Sequence, residues 1–143
     1  MEIIFKILCG ILYCIGLCFG YDYNEISVYI CIYGCPMICI LMSLILNMTI
    51  TNSLFKKVTS IKIILWLISY VYIAFNLTFF SYICQHYSGD VYVIFNQCVK
   101  DLQYIAFTCN TTYEYCNVVI YVYLFFSIII ANIISIFTIR KLK

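Results

Sequence analysis

Charge is what this sequence has least of. Only 10% of its 143 residues are Asp, Glu, Lys or Arg, against 66% hydrophobic, and the mean hydropathy is +1.05. A soluble domain of this size needs a far larger polar surface, so a water-soluble globular fold is excluded. Histidine occurs once, at His86. A lone histidine cannot supply a His-rich metal site, and neither a Ser-His-Asp set nor a Gly-rich phosphate loop is present. No enzyme, cofactor or metal centre is expected. No basic cluster is large enough to hold nucleic acid. Proline occurs once and glycine five times, while Ile, Tyr, Asn and Lys abound. Such usage fits an AT-rich genome, as in viruses and parasites.

What is present is a set of four long apolar stretches, about Ile3–Gly20, Ser27–Ile50, Ile61–Ile83 and Asn117–Ile139. Each approaches the roughly 20 apolar residues that an α-helix needs to cross a bilayer. The few charges fall into alternate gaps. Lys6, then Lys56, Lys57 and Lys62, then Arg140, Lys141 and Lys143 mark one side. Asp22 and Glu25, then Asp90, Asp101 and Glu114 mark the other, with Lys100 the one base among them. Lys and Arg beside membrane spans stay cytoplasmic. The expected fold is an all-α membrane protein: one domain, residues 1–143, a four-helix transmembrane bundle with both termini cytoplasmic. Residues 84–116 would form one large disulfide-bearing outer loop.

Span one has a rival reading as a cleavable signal peptide. Its apolar stretch Ile7–Phe19 has suitable length, and Cys18-Phe19-Gly20 is a small-x-small cleavage pattern. Glu2 offsets Lys6 in what would be the positive leader region, which favours retention. Cleavage would remove one span without reversing the others. Span two holds Pro36, whose kink neighbouring helices can accommodate. In the outer loop, the apolar run Val91-Tyr92-Val93-Ile94-Phe95 reads either as a strand or as a segment on the bilayer surface. His86 reads as a solvated loop residue with Asp90 four positions on, or as a pH sensor.

Inside the spans there is no Asp or Glu. Proton relays and coupled transporters place ionisable groups at mid-membrane depth, so their absence argues against such a mechanism. Small or polar residues recur four apart instead. Gly10, Cys14 and Cys18 do so in span one, and Cys31, Cys35, Cys39, Ser43 and Asn47 in span two. Ser127, Ala131 and Ser135 do so in span four. Such positions share a helix face. Small faces let membrane helices approach closely, so packing is the expected role and a pore lining the rival. Asn47, Asn76 and Asn132 are the strongest polar groups and are expected to bond across helices, at roughly 1 kcal/mol each.

Cysteine is abundant, with ten residues. Those within the spans are expected to behave as small apolar side chains. Cys84, Cys98, Cys109 and Cys116 fall in the outer loop, where an oxidising compartment favours two disulfides. Three connectivities are open, and Cys84–Cys116 enclosing Cys98–Cys109 is favoured. Each bridge would contribute roughly 2–4 kcal/mol. Asn110-Thr111-Thr112 is a glycosylation sequon on the same side.

The layout resembles the membrane-spanning four-domain family, which contains the tetraspan B-cell antigen. The matching stretches are Lys6-Ile7-Leu8-Cys9-Gly10-Ile11 in span one and Pro36 in span two. An inner turn Asn52-Ser53-Leu54-Phe55-Lys56-Lys57-Val58 and Tyr115-Cys116 before span four complete the likeness. Met37-Ile38-Cys39 replaces the family's Trp-Gly-Gly, and Ser43-Leu44-Ile45 its Ser-Gly-Ser. The resemblance implies a homo-oligomeric surface protein that associates with receptors or modulates calcium entry. The family's long cytoplasmic tails have no counterpart, which weakens the signalling part of that implication.

The expected function is non-enzymatic association in a plasma or secretory-pathway membrane, with itself and with a receptor or channel partner. A small channel or viroporin-like protein is one alternative, and a structural envelope or organelle membrane component another.

Overall fold

A computed structural model describes residues 1–56 and 58–141. Lys57 and Lys143, two of the basic residues assigned to the inner side, lie outside them, as does Leu142. The described chain is helical, with no strand. α1 covers Glu2–Phe19, α2 Tyr23–Ser27 and α3 Cys35–Lys56. α4 covers Ser60–His86, α5 Val91–Thr108, α6 Tyr113–Val118 and α7 Phe125–Lys141. Four helical rods are long and apolar enough to cross a membrane: Glu2–Phe19, Tyr23–Phe55, Ser60–His86 and Tyr113–Lys141. Spans two and four therefore start earlier than hydropathy suggested, at Tyr23 and Tyr113.

Polar caps account for those early starts. Asp22 Oδ1 accepts the Glu25 N–H at 2.8 Å, and Glu25 Oε2 accepts the Asp22 N–H at 2.9 Å, a reciprocal capping box. Thr112 Oγ1 accepts the Tyr115 N–H at 3.3 Å at the head of α6. Between α1 and α2 the chain turns at Gly20, whose φ of 76° is left-handed and suits a residue without a Cβ. α2 and α6 each pass through a π-helical stretch, Val28–Gly34 and Val119–Leu124, before regular helix resumes. Pro36 follows the first closely, and a residue with no N–H to donate favours a local change of helical register there. The second has no proline and no comparable reason in its sequence.

α3 is the central helix, packed against both α4 and α7. α4 and α7 meet each other far less, which leaves a cleft between them floored by α3. Near one end of the bundle Leu46 and Ile50 of α3, Ile68 and Tyr72 of α4, and Ile128 and Asn132 of α7 line a 400 Å³ cavity in that cleft. The other end carries Asp22, Glu25, Asp90, Asp101 and Glu114 and is called the acidic end below. The basic end carries Lys62, Arg140 and Lys141.

The expected outer loop is mostly a helix. α5 is 18 residues long, and Asp90 caps it by accepting the Tyr92 N–H at 3.1 Å. Val91–Phe95 is not a strand; it is the first turn and a half of α5. Ile94, Cys98, Leu102 and Ala106 form its buried stripe, spaced four apart. That stripe closes the main apolar core with Val28, Ile32 and Ile83. α5 thus packs on α2, α6 and the first π-helical stretch at the acidic end.

α1 does not run beside the other rods. Its main partners are α2 and α6, the opening turns of spans two and four. Phe5 meets Tyr113 edge-on with ring centroids 5.7 Å apart, and Cys9 Sγ lies 3.2 Å from the Tyr23 hydroxyl. Gly16 sits so close to the turn that an added Cβ would lie 2.8 Å from the Tyr21 carbonyl oxygen. These contacts extend along most of α1, yet all lie at the acidic end. α1 is thus docked on the turns that open spans two and four.

Candidate functional site

The densest polar cluster lies where α4 ends against α5. Asp101 projects from α5 and accepts three side chains. Its Oδ2 takes the Tyr87 hydroxyl at 2.8 Å and lies 3.1 Å from His86 Nε2, and its Oδ1 takes the Gln97 amide at 3.0 Å. A carboxylate can only accept, so His86 presents its Nε2–H here. The His86 ring stacks on Tyr82 at 5.6 Å and meets Tyr87 edge-on at 4.8 Å. Tyr33 of span two donates to the Tyr87 carbonyl at 3.0 Å, which ties the cluster to a third element. Burial, and then the bond to Asp101, push the Tyr87 hydroxyl well above the usual tyrosine range.

Beneath this cluster lies a cavity of about 470 Å³. Cys31, Ile32 and Pro36 form one wall and Ile120, Tyr121 and Phe125 the opposite one, with Leu102 and Ile105 above. Its lining is mainly apolar, with Asp101, His86 and Tyr87 among the polar groups along it. Such a space suits an apolar body. Cys98 also faces it, with Sγ 3.2 Å from the Tyr121 hydroxyl, and burial pushes its thiol up. A protonated thiol is a poor nucleophile, and the Asp101 cluster bonds no serine or cysteine. Among the described residues no group of three or more His, Cys, Asp or Glu is arranged to hold a metal ion.

Sequence reasoning placed His86 in solution near Asp90. The structure pairs it with Asp101 instead. The spacing of Gln97 and Asp101 on one helix face was visible, but only with α5 recognised as a helix. The β-branched and aromatic run Val91–Phe95 concealed it. The stripe Ile94, Cys98, Leu102, Ala106 and the capping Asp90 were the available signals.

The four outer cysteines are not brought together. All ten cysteines carry free thiols, with Cys84 and Cys109 exposed and Cys98 and Cys116 buried. Cys98 lies within α5 and Cys109 caps its end, about 16 Å along the axis. A disulfide needs Cα atoms about 4–7 Å apart, so the expected Cys98–Cys109 pair does not fit. Cys116 Sγ instead lies 3.2 Å from the Thr111 hydroxyl. Asn110 of the sequon is exposed and left-handed at φ 52°, in the turn between α5 and α6.

The small-residue faces divide. In span two Cys39 and Ser43 are buried and Cys31 and Cys35 half-buried, as packing requires. In α1, Gly10, Cys14 and Cys18 are exposed, and the close approach is made by Gly16. In α7, Ser127 and Ala131 are exposed and Ser135 half-buried, its hydroxyl returned to the Ala131 carbonyl. Asn47 donates to Ser69 Oγ at 2.7 Å, joining α3 to α4. Asn132 donates to the Tyr72 hydroxyl at 3.1 Å, joining α7 to α4. Asn76 bonds within its own helix, to the Tyr72 carbonyl at 2.8 Å.

No protein-family model, curated protein or solved structure matches this chain. The likeness to the membrane-spanning four-domain family rests on its short motifs alone.

Proposed function

We propose that this chain is a non-enzymatic, multi-pass membrane protein that acts by association, with copies of itself and with a receptor or channel partner. One observation carries this reading over a pore within the single chain. Two of the three asparagines inside the spans, Asn47 and Asn132, bond side chains of another helix. Asn47 bonds Ser69, Trp66 Nε1 donates to Thr51 Oγ1 at 3.1 Å, and Asn132 bonds Tyr72. A water-filled path needs such groups turned to its lumen. Here Asn47 and Asn132 fasten helix to helix, the usual office of buried amides in membranes, and the Asn132–Tyr72 bond bridges the cavity that both residues line. The acidic end, with α5 and the Asp101 cluster, is the surface offered to partners outside the bilayer. Modulation of ion entry would then work through a partner channel.

Crosslinking in native membrane followed by an inventory of neighbours tests the reading. A reproducible receptor or channel neighbour, or a self-crosslinked ladder, is expected. Selective current from the purified chain in liposomes, abolished by Asn47→Leu, would replace it with the channel alternative. Recovery in purified particles with no partner would favour the structural envelope role.

A further inference from the structure

α1 has the length and hydropathy of a spanning helix, but its position within the bundle is not that of one. Spans two and four start level with each other, since Cys31–Pro36 faces Ile120–Phe125 across one cavity. An 18-residue helix is about 27 Å long. A helix crossing the bilayer beside span two would meet the π-helical stretch and then α3 along that length. α1 meets chiefly α2 and α6, the opening turns of the two rods, and faces Val28, Cys31 and Ile32 of the π-helical stretch across a small cavity that no α3 residue lines. Phe5, Cys9 and Gly16 all touch residues within one turn of those openings, namely Tyr113, Tyr23 and the Tyr21–Asp22 backbone.

We propose that α1 lies along the membrane surface at the acidic end, so that the chain crosses the bilayer three times and its N-terminus is on the opposite side from Arg140 and Lys141. The partner of its free face is the headgroup–acyl boundary of the lipid leaflet.

The residues of α1 sort into three strips that suit this position. Phe5, Leu8, Cys9, Leu12 and Gly16 face the protein and are half-buried or buried. Glu2, Lys6 and Tyr13 fall on one flank, at four- and seven-residue spacing, and are exposed. Glu2 and Lys6 pair there at 2.7 Å. Ile3, Ile7 and Ile11 occupy the remaining arc, each at least 50% exposed, and Leu17 closes the flank beyond Tyr13. A helix lying in the interface buries one apolar face in lipid and keeps a polar flank in water. A helix in hydrocarbon has no use for a polar flank that reaches Tyr13, halfway along it. Moving Lys6 across does not disturb the orientation of the rest. Lys62, Arg140 and Lys141 still define a basic end free of acids, as the positive-inside rule asks.

Labelling of the full chain in sealed vesicles with a membrane-impermeant amine reagent, read by peptide mass spectrometry, tests this. Lys100, exposed on α5, and Lys141 report the two faces. The N-terminal amine and Lys6 are expected to label together with Lys100, and Lys141 only after detergent, or the reverse if the vesicles are inverted. Lys6 grouping with Lys141 would overturn the proposal and restore a spanning α1. A mature chain beginning at Tyr21 would overturn it too, because α1 would then be a removed leader.

Discussion

Asn132 on α7 donates its amide to the Tyr72 hydroxyl on α4 at 3.1 Å, across the cleft that otherwise separates the two helices. Asn132 is only 4% exposed and also returns a bond to the Ile128 carbonyl at 2.9 Å. Interhelical bonds of this kind are worth about 0.6–2 kcal/mol in membrane proteins. Asn132→Leu and Tyr72→Phe are each expected to lower stability by about that amount. The double variant should cost scarcely more than either alone, because both remove the same bond. Unfolding midpoints in a mixed micelle measure this, and fully additive losses would show that the bond contributes nothing.

Gly16 and Gly10 stand on the same helix in opposite circumstances. A Cβ at Gly16 would meet the Tyr21 carbonyl oxygen at 2.8 Å, while nothing lies within 4 Å of one at Gly10. Gly16→Ala is expected to destabilise by about 1–3 kcal/mol, since backbone cannot move aside cheaply. Gly10→Ala should stabilise by up to about 1 kcal/mol through helix propensity alone. Thermal unfolding of the two variants side by side checks the contrast. Equal effects would mean that α1 does not dock on the turn.

Asp22 accepts the Tyr92 hydroxyl at 2.6 Å, joining the start of span two to the start of α5. That bond, then the Glu25 N–H, hold the Asp22 carboxyl below its ordinary value of 3.8. The bond to Asp22 pushes the Tyr92 hydroxyl from 10.0 up to about 12. A depressed acid stabilises the fold above its unfolded pKa, and the contribution fades as pH falls through the folded one. A raised tyrosine stabilises below pH 10, and its contribution is lost as pH climbs toward about 12. Tyr92→Phe is therefore expected to lower stability between these limits and to converge with the parent protein at both extremes. A stability–pH profile shows this, and a constant offset across all pH would count against it.

The thiols should report the packing of α5. Counting under denaturing, non-reducing conditions is expected to give ten free cysteines. In the folded protein Cys109 should react quickly and Cys98 only on unfolding, because Cys98 is buried with its thiol pushed up. A peptide linking Cys98 to Cys109 would require α5 to be unwound.

The four apolar rods were legible in the sequence because hydropathy is a local property, summed over a window of neighbours. The caps Asp22 and Asp90 were written there too, though neither was used. α5 was missed because Val91–Phe95 has the composition of a strand, and only burial of Ile94, Cys98 and Leu102 against Val28, Ile32 and Ile83 favours the helix. The Asp101 cluster went unseen with it. Asn47 and Asn132 were expected to bond across helices and do so, while Asn76 turns back on its own.

By itself the sequence determined that most of the chain is apolar, and that four stretches are long enough to cross a bilayer as helices. Both follow from residue-by-residue transfer free energies, which need no knowledge of contacts. Only the tertiary structure decided where α1 docks, that α5 packs on α2 and α6, and that His86 meets Asp101. Those outcomes depend on which faces fit together over distances of many residues. A glycine that admits the backbone at Gly16 but serves no contact at Gly10 looks the same in one dimension.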